Sequence, residues 1–184
     1  MRQVTREKLE VAMDFHDQPY YGKTEQAEGL WVGGEANQGT TKMYRVATCY
    51  IIKNDYRLTL GIKFVLPDES VKEVVEYLLN QLQRLEIEIK CLYLDRGFEG
   101  VGLVQYLKQR KQTAIIVCPI RGKTGGVKAL CVGKKSYRTK HIFKSLKHGV
   151  EEVEMAMFDG FTTTTKKSRK VRKARMIGIY LDRM

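Results

Sequence analysis

Cys91-Leu92-Tyr93-Leu94-Asp95-Arg96-Gly97-Phe98 is a short apolar run that ends on a carboxylate and is followed at once by a glycine turn. A buried strand that brings an acid to the edge of a sheet has this form. The opening of the chain repeats the arrangement. Leu9, Val11, Met13 and Phe15 alternate with Glu10, Ala12 and Asp14 ahead of the turn-rich Gln18-Pro19-Tyr20-Tyr21-Gly22. Alternation of this kind predicts a half-buried strand, with Asp14 at its end and on the face opposite Val11 and Met13. Two strands each closing on an aspartate suggest that Asp14 and Asp95 lie side by side.

Outward from these two strands, Gly29 to Thr41 is glycine-rich and polar and reads as an exposed loop. Two extended runs follow, Tyr44–Ile52 and Tyr56–Phe64, joined by the hairpin residues Lys53-Asn54-Asp55. Ser70 and Glu73 are spaced as a capping box, and Val71, Val74, Val75, Leu78, Leu79, Leu82 and Leu85 form one helical stripe. After the Cys91 to Leu94 strand come a shorter helix from about Val101 to Lys108 and a strand from Thr113 to Cys118, stopped by Pro119. Three strands, helix, strand, helix, strand is the order of a mixed α/β sheet with helices on its faces. Beyond Pro119, residues 121–175 read as a basic insertion, with a possible hairpin around Gly133 and strand-like alternation at Val153, Met155 and Met157. Met176 to Leu181 reads as a further strand.

The 184 residues, 43% hydrophobic and 29% charged, suit one globular unit. No run is long and apolar enough for a membrane span or a signal peptide, so a cytoplasmic protein with no membrane partner is expected. Cys49, Cys91, Cys118 and Cys131 are too widely spaced for a zinc motif and read as buried thiols. Gly122-Lys123-Thr124 is not a phosphate loop, because Val117 stands where that motif needs its first glycine.

The net charge of +12 is unevenly spread. Residues 1–99 carry 13 basic and 16 acidic groups, whereas Gly100 to Val150 has twelve Lys and Arg and no acid. Lys166 to Arg175 is basic at seven of ten positions. A surface of this kind draws polyanions, and nucleic acid is the expected partner. Candidate contacts are Arg96, Arg121, Lys123, Lys134, Lys135, Arg138 and Lys140.

Adjacent carboxylates repel unless a cation lies between them. Mg²⁺, or Mn²⁺ in its place, suits two carboxylates because it leaves its other positions to water and phosphate. Two such ions can clamp the attacking and leaving oxygens of a phosphodiester. Asp14 and Asp95 are therefore the candidate metal ligands and catalytic residues. Taken singly, Asp14 as a turn cap and Asp95 as a surface partner of Arg96 remain adequate accounts.

Together, Val11-Ala12-Met13-Asp14, Leu94-Asp95-Arg96-Gly97-Phe98 and Pro119-Ile120-Arg121-Gly122-Lys123-Thr124-Gly125-Gly126 resemble an insertion-sequence transposase of the DDE type, with its ribonuclease-H-like core. The resemblance implies an α/β fold: a ribonuclease-H-like mixed sheet, a three-strand meander and then helix-strand-helix-strand, with a basic β-rich insertion. Residues 1–120 would be the core, 121–175 the insertion and 176–184 the start of the next core strand. It also implies DNA cleavage and strand transfer at insertion-sequence ends, double-stranded DNA as partner, a nucleoid-associated location, and homo-oligomers or association with a full-length transposase. The family's third acid, a glutamate on a later helix set among a tyrosine, an arginine and a lysine, has no match in residues 151–184. The chain is thus expected to be truncated before it, to lack the usual preceding DNA-binding region, and to be inactive alone. A small metal-dependent nuclease using Asp159 as third ligand, or a noncatalytic DNA-binding remnant, are the competing readings.

Overall fold

The computed structural model describes residues 8–23, 29–37, 39–53, 56–120, 126–130, 136–165 and 168–182. Among them the chain builds one nine-stranded sheet: β1 (Leu9–Pro19), β2 (Val32–Asn37), β3 (Thr40–Lys53), β4 (Tyr56–Val65), β5 (Ile89–Leu94), β6 (Ala114–Cys118), β7 (Tyr137–Ser145), β8 (Gly149–Thr165) and β9 (Ser168–Leu181). Three helices accompany it: α1 (Val71–Arg84), α2 (Val101–Gln109) and the short α3 (Gly126–Leu130). The strand order is β2-β3-β1-β5-β6-β9-β8-β7, with β4 also paired to β3. β1, β3 and β4 form an antiparallel set, β5 lies parallel to β1, and β6 lies parallel to β5. β9 then runs antiparallel to β6 and is followed by β8 and β7. The fold is a mixed, strand-rich α/β sheet.

The helices cover one face. Val74, Val75, Leu78, Leu79 and Leu82 of α1, and Leu103, Val104 and Leu107 of α2, share one core with Val11, Met13, Leu92, Leu94, Ala114 and Ile116. Val153, Met155, Met157, Ile177, Ile179 and Leu181 belong to the same core, so β8 and β9 extend the sheet whose centre is β1-β5-β6. The residues between these along each strand, such as Ala12, Tyr93 and Ile115, face the other side, as strand alternation requires. α1 begins with the expected capping box. Ser70 Oγ accepts from the Glu73 amide at 3.3 Å, and the Ser70 amide donates to Glu73 Oε2 at 2.7 Å.

Two expectations need correction. The first strand does not end at Asp14 but runs five residues further, to Pro19, because Phe15 to Pro19 keep their backbone pairing to Ala47 through Met43 of β3. Its apolar alternation fades there because β5 stops at Leu94 and leaves those residues with a single flanking strand. Within Gly29 to Thr41, Val32–Asn37 is a strand and β3 already starts at Thr40. The pairing of β2 to β3 uses backbone groups, so glycine and polar residues suffice for it. The possible hairpin around Gly133 lies outside the described residues, while β7 and β8 turn instead at residues 146–148.

Candidate metal centre

β1 and β5 are parallel, and their last paired rung is Met13 with Leu94. Asp14 and Asp95 are the next residue on each chain. Asp95 keeps extended backbone angles, φ −72° and ψ 174°, so the two occupy adjoining positions one rung further along. Neighbouring strands are about 4.8 Å apart. By alternation both belong to the face away from the helices, with Ala12 and Tyr93 preceding them. Asp14 is half-buried and Asp95 is exposed. Among the described residues no charged side chain is fully buried, so both carboxylates are open to water and ligands.

The turn after β5 is locked to β1 by the opposite face. Phe98, fully buried, stacks on Phe15 with ring centroids 4.0 Å apart and planes 8° from parallel. A Cβ on Gly97 would stand 2.8 Å from Phe15 Cδ2, so only glycine lets the turn lie against that ring. Arg45 continues the stack, its guanidinium 5.4 Å from the Phe15 ring centre. It also donates to both carboxylate oxygens of Asp17 at 2.7 Å. Phe15 follows Asp14 in sequence and Phe98 lies three residues after Asp95. Their contact therefore ties the turn after Asp95 to the strand that carries Asp14.

Around the pair, Thr48 lies directly across from Asp14 on β3, and its Oγ1 is 3.1 Å from Nε2 of His16, two residues past Asp14 on the same face. Tyr93, two residues before Asp95, is half-buried, and burial, then Cys91 and Glu10, push its hydroxyl up to about 12. It remains a proton donor across the neutral range. No group of three or more His, Cys, Asp or Glu placed to hold a metal occurs among the described residues. Asp159 lies on β8, with β6 and β9 between it and β5. Three strand spacings, roughly 14 Å, separate its place on the sheet from the end of β5. The donor set is two carboxylates, which fits a hard cation that keeps several waters and takes phosphate oxygens.

Of the basic candidates, Arg96 is exposed directly beside Asp95, in the 3-10 turn Arg96–Phe98. Arg138 lies on the rung that runs from Val117 through Gly178 and Ala156, the level at which Asp95 leaves β5, and its guanidinium sits 5.1 Å from the Tyr180 ring centre. Lys140 is two residues along β7 from Arg138 and pairs with Glu152 at 2.9 Å. Arg121, Lys123, Lys134 and Lys135 lie outside the described residues. The roles of Phe15, Gly97 and Thr48 were not read from the sequence. The glycine and the two phenylalanines were visible there, but their partnership is a contact between residues more than 80 positions apart.

Among the described residues no helix is long and apolar enough to cross a membrane. No protein-family model matches the chain, and no curated protein matches it. Among solved structures it is similar to a piggyBac transposase, seen by cryo-EM in a synaptic complex with hairpin DNA, at 10% sequence identity and a TM-score of 0.49 over 93% of this chain. The chain spans about a third of that protein's length, 33%.

Proposed function

We propose that this chain carries two of the carboxylates of a DDE-type centre for DNA cleavage and strand transfer, acting in transposition at insertion-sequence ends, with Asp14 and Asp95 as ligands of Mg²⁺ or Mn²⁺. The observation that carries the reading is the register: the parallel pairing of β1 with β5 runs to Met13 with Leu94, and an aspartate follows on each chain. The order β4-β3-β1-β5-β6, an antiparallel set followed by two parallel crossovers, supports the ribonuclease-H-like description of the core.

A bound divalent ion would polarise a phosphodiester and the water or hydroxyl that attacks it. The chain's own part is to tie the turn after Asp95 to the strand that carries Asp14 through the Phe15–Phe98 stack, to keep the two carboxylates open to solvent, and to offer Arg96 to a phosphate beside Asp95. With no third acid or histidine grouped with them among the described residues, the two aspartates bind the ion weakly. The chain alone then binds duplex without cutting it.

Mn²⁺ titration followed by electron paramagnetic resonance tests the site. One weak site is expected, lost in both Asp14→Ala and Asp95→Ala. Unchanged binding in both variants would sink the assignment. In parallel, supercoiled plasmid incubated with Mg²⁺ should stay intact. Nicking that disappears in Asp95→Ala would instead make the chain a complete nuclease.

A further inference from the structure

β4 closes one edge of the sheet. Among the described residues it pairs with β3 along its whole length, from Tyr56 with Lys53 to Val65 with Arg45, and has no strand on its other side. Apolar side chains stand along that free edge: Tyr56 is 79% exposed, Leu58 55%, Ile62 56% and Phe64 68%. With roughly 150–250 Å² per large side chain, the four leave on the order of 500 Å² uncovered on a single strand.

These residues do not share one face. Leu58 lies opposite buried Ile51 and Tyr56 opposite Lys53, on the helical side. Ile62 lies opposite Thr48 and Phe64 opposite Val46, on the side of Asp14 and His16. The bulge beside Cys49 and Tyr50, which leaves Leu60 as an extra residue, switches the alternation between the two pairs. A helix or loop laid on one face would cover half of them. A strand added at the edge lies beside all four.

The charges that commonly guard an edge strand are turned inward here. β4 has no proline and no acid, and its two cations are Arg57 and Lys63. Lys63 pairs with Glu69 at 2.6 Å and lies 4.8 Å from the Tyr77 ring centre, while Arg57 lies 5.6 Å from the ring centre of Tyr50 on β3. Both are drawn back over their own copy, so neither projects across the edge.

The strand is also complementary to itself. Residues opposite each other in an antiparallel pair point to the same face. When β4 meets a second β4 over its full length, Tyr56 faces Val65, Arg57 faces Phe64, Leu58 faces Lys63 and Thr59 faces Ile62, and each pair shares a face. An unbroken strand of ten residues would set opposite faces together at full overlap. The extra residue at Leu60 corrects the parity. No cation faces a cation, Arg57 meets an aromatic ring, and two-fold symmetry makes each contact twice. With the strand's backbone and the exposed neighbours Ile52 and Leu66, the edge approaches the roughly 800 Å² per partner of a standard interface.

We infer that the free edge of β4 is a docking surface for a second copy of this chain, the two β4 strands pairing antiparallel about a two-fold axis at Leu60 and Gly61, so that one sheet runs through both copies. The family resemblance implies homo-oligomers with no surface named. β4 supplies the surface, and neither metal nor DNA enters its test.

The full chain, nuclease-treated and in EDTA, is followed by sedimentation equilibrium over a range of concentrations, beside Ile62→Lys/Phe64→Lys and a control near the opposite edge, Ile142→Lys/Val150→Lys. The unaltered chain and the control should show a monomer–dimer equilibrium, and the β4 variant a monomer at every concentration, with circular dichroism reporting that each is folded. Register is read by mixing copies carrying Thr59→Cys with mass-tagged copies carrying Ile62→Cys under mild oxidation. The mixed disulfide should form, whereas Thr59 and its own symmetry mate stand three residues apart along the strands, about 10 Å, beyond disulfide reach. An unaltered chain that stays monomeric, or a dimer that survives in the folded β4 variant, overturns the inference. Growth beyond the dimer overturns two-fold closure, and self-linking of either copy as readily as of the mixture overturns the register. Where the β4 variant fails to fold, the mixed disulfide decides alone: its formation upholds the pairing and its absence overturns it.

Discussion

Gly97 owes its identity to Phe15. The ring it touches is stacked on buried Phe98, which limits how far it can shift. Gly97→Ala therefore strains the contact that ties the turn after Asp95 to β1, and overpacking of this kind costs about 1–3 kcal/mol. Urea unfolding should show that loss, and Mn²⁺ binding should weaken with it. Full stability in the variant would mean the turn can move away from β1. Phe98→Ala removes the stack itself and should cost more, about 3–5 kcal/mol. The Asp-Arg-Gly-Phe stretch was legible in the sequence as a strand followed by a turn. The reason for its glycine was not, since Phe15 is distant in the chain and only the β1–β5 pairing brings the two together.

Among the elements, α1 is the one read almost to the residue. Its capping box and apolar stripe are local features, set by residues within a few positions of each other. Ser70→Ala removes the acceptor for the Glu73 amide and should destabilise the protein by about 1 kcal/mol, measured as a lower urea midpoint with an unchanged slope. Strands were read less completely, for a physical reason. The apolar alternation marks only the part of a strand that packs under the helices, such as Val153 to Met157 in β8 and Ile177 to Leu181 in β9. Backbone pairing continues past that part in β1, β8 and β9 and forms β2 with little apolar help. A polar or basic strand held by its ladder alone leaves no periodic signal.

At the scale of the molecule, helices on a single face divide the sheet into a sealed side and an open one. Cys49 and Cys118 are on the sealed side, and burial pushes both thiols up to about 12. The unfolded thiols titrate near 9, so the neutral form is the one the fold favours. Stability from this source is complete below pH 9 and is lost as the pH rises toward 12. Thiol labelling at pH 8 should leave Cys49 and Cys118 unmodified until denaturant is added; prompt reaction of either in the native protein would show that the helical layer does not cover it. The open side holds Asp14, Asp95, Tyr93 and Arg138. The sequence by itself determined the strands that carry the two aspartates, the capped helix between the third and fourth of its expected strands, and the concentration of positive charge after residue 100, because periodicity, capping and composition act over short stretches of chain. Only the fold shows that β1 and β5 run in parallel, paired as far as Met13 with Leu94, and that Gly97 lies against Phe15. Each of these depends on strand register, which is set by packing and pairing between residues far apart in the chain.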